Sequence, residues 1–271
     1  MSTVPYARPQ AGTELPPPVV VGASEPLVSV IIPALNEARN LPHVMAALPE
    51  VDEVILVDGG SVDDTVDVAR RLMPGIRIVQ QNRRGKGNAL ACGFAAATGD
   101  ILVMIDADGS TDPKEIPSFI AALRSGADFA KGSRFSGAGG SADITRLRRA
   151  GNRCLSTLVN VLFSTGYSDL CYGYNAFWAR HLDVFDLDST TEADRRLWGD
   201  GFEIETLLNL RAARARLQIV EIPSFEQRRI HGESNLNAFT DGLRVLRTIA
   251  REWPRRRTAR AGAHRAVERS R

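Results

Sequence analysis

The sequence predicts an α/β fold, a mostly parallel sheet flanked by helices, and three observations predict it. Strand-like and helix-like segments alternate through the first half with short connections. Ile101-Leu102-Val103-Met104-Ile105 is an unbroken apolar run of the kind found in strands buried on both faces. Polar, small or acidic residues follow each of the first four predicted strands, where ligands of open α/β sheets bind.

In chain order, Val28–Ile32 reads as a strand and Glu37–Leu48 as a helix. Val54–Val57 is a strand and Val62–Leu72 a helix. Ile76–Val79 is a strand, Gly87–Ala97 a helix and Ile101–Ile105 a strand. Pro113–Leu123 is a helix, with Pro in its first turn and Asp112 as its cap. Right-handed crossovers bring the C-terminal ends of these strands to one edge.

The second half is less regular. Asp128–Gly132 is a short strand leading into Ser133-Arg134-Phe135, and a Gly-rich loop follows. Ile144–Phe163 is a long amphipathic helix, basic at its start and apolar later. Tyr172–Trp178 has strand character, Gly201–Arg214 is a helix and Leu217–Ile222 a strand. Ala238–Trp253 is another amphipathic helix, ending before Pro254.

The chain has 271 residues, 44% hydrophobic and 24% charged, the composition of a globular protein with a sizeable core. No run approaches the ~20 apolar residues of a spanning helix. Residues 1–26 are Pro-rich and are expected to be a disordered leader; 27–253 is expected to form one domain, with halves at 27–125 and 126–253. Cys92, Cys154 and Cys171 are odd in number and widely spaced, which suits free thiols in a reducing, cytoplasmic setting. Net charge is +2, yet residues 244–271 carry ten Arg against two Glu, and 254–271 is a basic tail. Such a tail suits an anionic surface, and with the helix at 144–163 it predicts peripheral contact with an anionic membrane on its cytoplasmic face. No aromatic platform accompanies it, so nucleic acid is not the expected partner.

Asp106-Ala107-Asp108 carries the clearest chemistry. Its two carboxylates lie two positions apart in an extended segment and share a face. They suit Mg²⁺ or Mn²⁺, hard cations that need few protein ligands when substrate phosphates supply the rest. Zinc is disfavoured, since no His or Cys is adjacent. Asp58-Gly59-Gly60-Ser61 joins an acid to a permissive turn, where Asp58 could accept from a base or ribose. Gly85-Lys86-Gly87-Asn88 opens a helix, and a Lys at a helix N-terminus favours phosphate, although the segment is not a Walker A loop. Arg134, Arg228, Arg229 and His231 are candidate anion contacts.

Together these segments resemble family 2 glycosyltransferases of the GT-A, Rossmann-like fold. The resemblance runs from Val28 to about Ile249. It is carried by Ser29-Val30-Ile31-Ile32-Pro33-Ala34-Leu35-Asn36-Glu37, Val57-Asp58-Gly59-Gly60-Ser61, Gly85-Lys86-Gly87-Asn88-Ala89, Asp106-Ala107-Asp108, Gly132-Ser133-Arg134-Phe135 and the segment Arg229 to Leu236. Within the family the chain is most similar to the dolichyl- and polyprenyl-phosphate mannosyl- and glucosyltransferases. That resemblance implies an inverting hexosyltransferase with a nucleotide-sugar donor of the GDP-mannose or UDP-glucose type and a polyprenyl-phosphate acceptor. It implies donor binding by Pro33, Ala34, Asn36, Glu37, Asp58, Lys86, Asp106 and Ala107, with Mg²⁺ or Mn²⁺ on Asp106 and Asp108. It places Arg134, Arg228, Arg229, His231 and Ser234 near the acceptor or its phosphate. Where the family has Ser-Lys-Leu this chain has Ser234-Asn235-Leu236, and Gly109-Ser110-Thr111 stands where a Gln or Glu usually follows the acidic pair.

On this reading Asp108, Arg134 and Arg229 serve the transfer step. A hydroxyl acceptor, the alternative to a polyprenyl phosphate, needs a general base, for which Asp200 and Glu203 are the candidates. The same two residues could instead cap the helix that follows. A nucleotidyltransferase would show an early Gly-rich phosphate loop, which Pro33-Ala34-Leu35-Asn36-Glu37 is not. A non-catalytic nucleotide-sugar-binding module would not need the intact acidic pair and arginine set.

Overall fold

A computed structural model describes residues 25–232 and 240–253. Its centre is a seven-stranded sheet of order β3-β2-β1-β4-β7-β5-β8. β1 (Val28–Ala34), β2 (Glu53–Asp58), β3 (Arg77–Gln80) and β4 (Ile101–Met104) run parallel. α1 (Leu41–Ala47), α2 (Thr65–Leu72) and α3 (Lys86–Ala96) connect them. Ile31, Ile32, Ile55, Leu56, Val103 and Met104 are buried, so the central strands are apolar on both faces, as their sequences require.

The second half departs from a purely parallel reading. A short 3₁₀ turn (Pro113–Glu115) and α4 (Ile116–Arg124) lead to β5 (Phe129–Ser133). β7 (Asn175–Trp178) then inserts between β4 and β5, antiparallel to both, and β8 (Ile219–Pro223) lies parallel to β5. β6 (Gly140–Ser141) and β9 (Phe225–Glu226) form a separate two-stranded ribbon. Neither of these two-residue strands has enough length for a sequence period to mark it.

α5 (Arg146–Phe163) is capped by Thr145, whose hydroxyl accepts from the Arg148 N–H at 3.2 Å. Its Val159 and Phe163 pack with Leu210 of α7 (Ile204–Arg214) and with Val245 and Ile249 of α8 (240–253). Core packing therefore accounts for one face of α5, while Leu147, Leu158 and Val161 remain exposed. α6 (Leu182–Phe185) is a single turn beneath α7. The expected helix starts at 37 and 62 shift to Leu41 and Thr65: Asn36, at φ 58°, is turned to the Val62 N–H of the neighbouring loop, and Asp63 forms a turn with the Thr65 N–H.

Asp112 caps the 3₁₀ turn that leads into α4, accepting from the Lys114 N–H at 3.0 Å. Cys92, Cys154 and Cys171 are free. Among the described residues no helix is long and apolar enough to cross a membrane. The expected leader, apart from its last two residues, and the basic tail at 254–271 lie outside the described residues, as does Ser234.

Candidate active site

The C-terminal ends of β1, β2 and β4 meet on one edge, where backbone and side chains lock the loops together. Gly59 N–H donates to the Ala34 carbonyl at 2.8 Å. Asn36 Oδ1 accepts from the Val62 N–H at 2.8 Å, and Asn36 N–H donates to Ser61 Oγ at 2.9 Å. Asp58 is buried and turns back on its own loop, accepting from the Gly60 and Ser61 N–H groups, each at 3.1 Å. The carboxylate thus holds the Gly59-Gly60-Ser61 turn open, and Pro33, Ala34, Asn36, Glu37 and Asp58 share one rim.

The start of α3 reaches this rim because two glycines permit it. Gly85 adopts φ 125°, and a Cβ on Gly87 would lie 1.8 Å from the Gly199 carbonyl oxygen. The Gly87 N–H donates to the Asp200 carbonyl at 2.8 Å, so the loop before α7 seals the start of α3. Lys86 then extends between two carboxylates, its Nζ 2.5 Å from Asp106 Oδ1 and 2.8 Å from Glu205 Oε1. Burial opposes the Lys86 charge, but Asp106 and Glu205 outweigh it and hold the ammonium well above the ordinary lysine range.

The second carboxylate of the pair is met from the other side. Residues 227–231 cross the Asp106-Ala107-Asp108 loop as a strap. Gln227 N–H donates to the Ser110 carbonyl at 2.8 Å and Ile230 N–H to the Asp108 carbonyl at 3.2 Å. Asn40 and His231 exchange side chain-to-backbone bonds at 2.9 and 3.1 Å. From this strap Arg229 bridges Asp108 Oδ2 at 2.7 Å and Glu37 Oε1 at 3.0 Å. Burial pushes the Glu37 carboxyl up, and the neighbouring Asp108 adds to that, against the pull of Asn40 and Arg229. Ile230 covers Gly109, where φ is 79° and a Cβ would come within 2.6 Å of the Ile230 side chain.

The structure therefore gathers Glu37, Lys86, Asp106, Asp108 and Arg229 into one charged cluster, with His231 held by its backbone at the margin. It also brings in Glu205, which the sequence reading did not select. Its sequence signal was only its place, two residues after Glu203 in the helix expected at 201–214. Two carboxylates of hard oxygen character on one loop, flanked by cationic side chains that could turn to a diphosphate, fit a divalent cation. Among the described residues no group of three or more His, Cys, Asp or Glu is placed to hold a metal ion.

Three expectations are corrected. Arg134 is not a surface anion contact: it is buried, with Nε 2.7 Å and Nη2 2.9 Å from Asp169 and Nη1 3.0 Å from Glu226, so its donors are committed internally. Asp200 is not free to act as a base, since Arg83 donates to both its oxygens at 2.9 and 3.0 Å and the Leu197 N–H adds a third bond. Glu203 accepts from the Gly199 and Gly201 N–H groups at 3.2 and 3.3 Å and faces away from Lys86. Neither acid caps α7 either: Glu203 stands at its N-cap position without a side-chain bond to a helix N–H, and both carboxylates bind the loop that precedes the helix. Arg228 stays at the surface, donating to the Ala142 carbonyl at 3.2 Å.

Comparison with known proteins adds to this geometry. The family model described as glycosyl transferase family 2 matches residues 29–185. An uncharacterized glycosyltransferase of Mycobacterium tuberculosis is 44% identical over 107 residues, 40% of this chain and 48% of that one, so the match spans about half the relative's length. An undecaprenyl-phosphate mannosyltransferase of Micrococcus luteus is 31% identical over 242 residues, 83% of this chain and 96% of the relative. Among solved structures, glucosyl-3-phosphoglycerate synthase from Mycobacterium tuberculosis, with Mn²⁺, UDP and glucosyl-3-phosphoglycerate, superposes with a TM-score of 0.65 at 23% identity. That superposition covers 85% of this chain and 81% of the synthase, and it shows a shared GT-A fold.

Proposed function

The chain belongs to glycosyl transferase family 2, and from that premise we propose that it moves a hexose from a nucleoside diphosphate sugar to a polyprenyl phosphate, with inversion at the anomeric carbon. The observation that carries this reading is the convergence of Asp106 and Asp108 with Lys86, Glu205 and Arg229 at the ends of the central strands. Similarity to the mannosyltransferase of Micrococcus luteus along nearly its whole length supports the acceptor class.

The rim of Pro33, Ala34, Asn36, Glu37 and Asp58 would seat the nucleoside, with the turn held by Asp58 presenting open backbone to it. Asp106 and Asp108 would hold Mg²⁺ or Mn²⁺, which supplies Lewis-acid neutralisation of the charge growing on the departing diphosphate. Lys86 fixes Asp106 in place and keeps a permanent positive charge beside it. Arg229, released from Asp108, can turn to a phosphate oxygen and add electrostatic stabilisation. Glu205, anchored by Lys86, can accept hydrogen bonds from sugar hydroxyls. An acceptor phosphate is already ionised and needs no base, which agrees with the commitment of Asp200 to Arg83. A hydroxyl acceptor would need a carboxylate that neither Asp200 nor Glu203 supplies at this edge.

Residues 27–253 are proposed to act as one domain, a reading supported by the sheet that β1–β4 share with β7, β5 and β8. Exposed Leu147, Leu158 and Val161 on α5, and Leu243, Leu246 and Trp253 on α8, support peripheral contact with a cytoplasmic membrane face beside the basic tail. The deciding experiment supplies GDP-mannose or UDP-glucose, Mn²⁺ and undecaprenyl phosphate to the purified protein and extracts glycolipid. Product that disappears in Asp106→Ala and in Asp108→Ala is expected. Equal turnover in both variants, or transfer only to hydroxyl acceptors, would overturn the reading.

A further inference from the structure

α5 is patterned inside out. Its polar Asn152 and Ser156 are buried, whereas Leu147 is 59% exposed, Leu158 37% and Val161 74%. The roll of the helix is pinned. Asn152 Oδ1 accepts from the Leu170 and Cys171 N–H groups at 3.2 and 3.1 Å, and Ser156 Oγ accepts from the Leu170 N–H at 3.2 Å. Val159 and Phe163 sit in the core on the same side. The apolar residues therefore cannot turn inward without breaking bonds to the backbone at 170–171.

Leu147, Ala150, Gly151, Cys154, Leu158 and Val161 fall within about 100° of the helix surface, with Cys154 near the middle. Every one is exposed and none is charged. An uncharged stripe on the solvent side reverses the ordinary amphipathic pattern and marks an interaction surface. It runs about 21 Å along α5.

The stripe is symmetric about Cys154. Leu147 and Val161 stand equally far to either side of it, as do Ala150 and Leu158, and Gly151 and Thr157. Two antiparallel copies related by a two-fold axis at Cys154 therefore set Leu147 against Val161 of the second copy. Leu158 of each copy then falls on the gap at Ala150 and Gly151 of the other. That gap is open, since a Cβ on Gly151 would meet nothing within 4 Å. Small residues there let the helix axes approach to about 8 Å.

Charge selects the direction. Arg146, Arg148, Arg149 and Arg153 all lie in the first half of α5, and 154–163 carries no charge. Antiparallel pairing sets each basic start beside the C-terminus of the other helix, the negative end of its dipole. Parallel pairing would gather both basic starts at one end. Arg153, about 100° from the centre of the stripe, stays at the flank. The basic segment 254–271 is repelled by the same arginines and is a poorer occupant.

We propose that α5 is a homodimer interface, an antiparallel two-fold pair of α5 helices centred on Cys154. Of the exposed apolar residues that support membrane contact, those on α5 are taken up by the pairing. Leu243, Leu246 and Trp253 of α8 stay at the surface. The proposal goes beyond the transferase reading and holds for any acceptor.

Sedimentation velocity of the full chain over a concentration series tests it, and a reversible dimer is expected. Gly151→Gln adds a side chain where the single chain has open space and favours the helix, yet blocks the seam. Its dissociation constant, and that of Leu158→Arg, should rise about tenfold or more, with circular dichroism unchanged. A short bismaleimide should join two copies through Cys154, the exposed cysteine of the three, and Cys154→Ser should abolish that product. In the Cys154→Ser background, Leu147→Cys mixed with Val161→Cys should cross-link, and Leu147→Cys alone should not. A monomer at every concentration, a dimer that both seam variants leave intact, or Leu147→Cys that joins to itself would overturn the pairing. So would a monomer whose flotation with phosphatidylglycerol vesicles is lost in Leu158→Arg, which would assign the stripe to lipid.

Discussion

Lys86 Nζ lies 2.5 Å from Asp106 Oδ1, and the same ammonium reaches Glu205 at 2.8 Å, so a lysine from the start of α3 ties the loop after β4 to α7. Removing it leaves two carboxylates close together in a largely dry setting. Lys86→Met is expected to lower the melting temperature and to reduce glycosyl transfer by at least about a hundredfold, in line with loss of a preorganised charge. Thermal unfolding and kcat/KM measured together check it; near-wild-type kcat/KM would show that Lys86 only braces the fold.

Arg229 joins the strap at 227–231 to Asp108 and Glu37. Arg229→Ala should loosen the strap without unfolding the sheet, because Gln227, Ile230 and His231 retain their backbone bonds. Hydrogen exchange is the measurement: amides from Asp108 to Thr111 and from Gln227 to His231 should exchange faster, and those of β1 and β4 should not change.

The buried Arg134–Asp169 pair gives a separate prediction. Breaking such a pair from one side typically costs about 3–5 kcal/mol, because the remaining charge has no solvent. Asp169→Asn is expected to lower unfolding free energy on that scale while the kcat of the folded fraction stays within a few-fold of wild type. A large fall in kcat with unchanged stability would return Arg134 to the chemistry.

The same pair predicts a pH dependence. Burial alone would raise the Asp169 carboxyl, but hydrogen bonding and attraction from Arg134 prevail and hold it below the ordinary aspartate value of 3.8. A folded-state pKa below the unfolded one means that this contribution is complete above the unfolded value and fades as pH falls through the folded one. Stability of wild type should therefore drop more steeply below about pH 4 than that of Asp169→Asn, as denaturation midpoints across that range would show.

Gly87 has no room for a side chain, since a Cβ would sit 1.8 Å from the Gly199 carbonyl. Gly87→Ala must push the loop before α7 off the start of α3, at a cost of about 2 kcal/mol or more. Chemical denaturation checks the stability, and because the displaced loop carries Asp200 and leads to Glu205, donor affinity should fall with it.

Much of this was legible along the chain. The apolar runs of β1, β2 and β4 could only be buried parallel strands, and the residues just past them had to share an edge, because right-handed crossovers leave no other arrangement. Asp106, Asp108, Glu37 and Lys86 were readable for that reason, and the match of residues 29–185 to the family covers the same stretch. The insertion of β7 between β4 and β5 was not readable, since pairing partners depend on long-range contacts that a local period does not encode. Nor was the fate of the charged residues. Arg134 and Arg229 look alike in sequence, yet one is sealed against Asp169 and the other faces Asp108. Glu203 and Glu205 differ only by two positions, yet one binds the Gly199 and Gly201 N–H groups and the other Lys86. By itself the sequence determined the sheet, its edge and the acidic pair, because hydrophobic periodicity and strand-end placement are local. Only the tertiary structure decided which charges meet, because an ion pair is set by distance and burial between segments far apart in the chain.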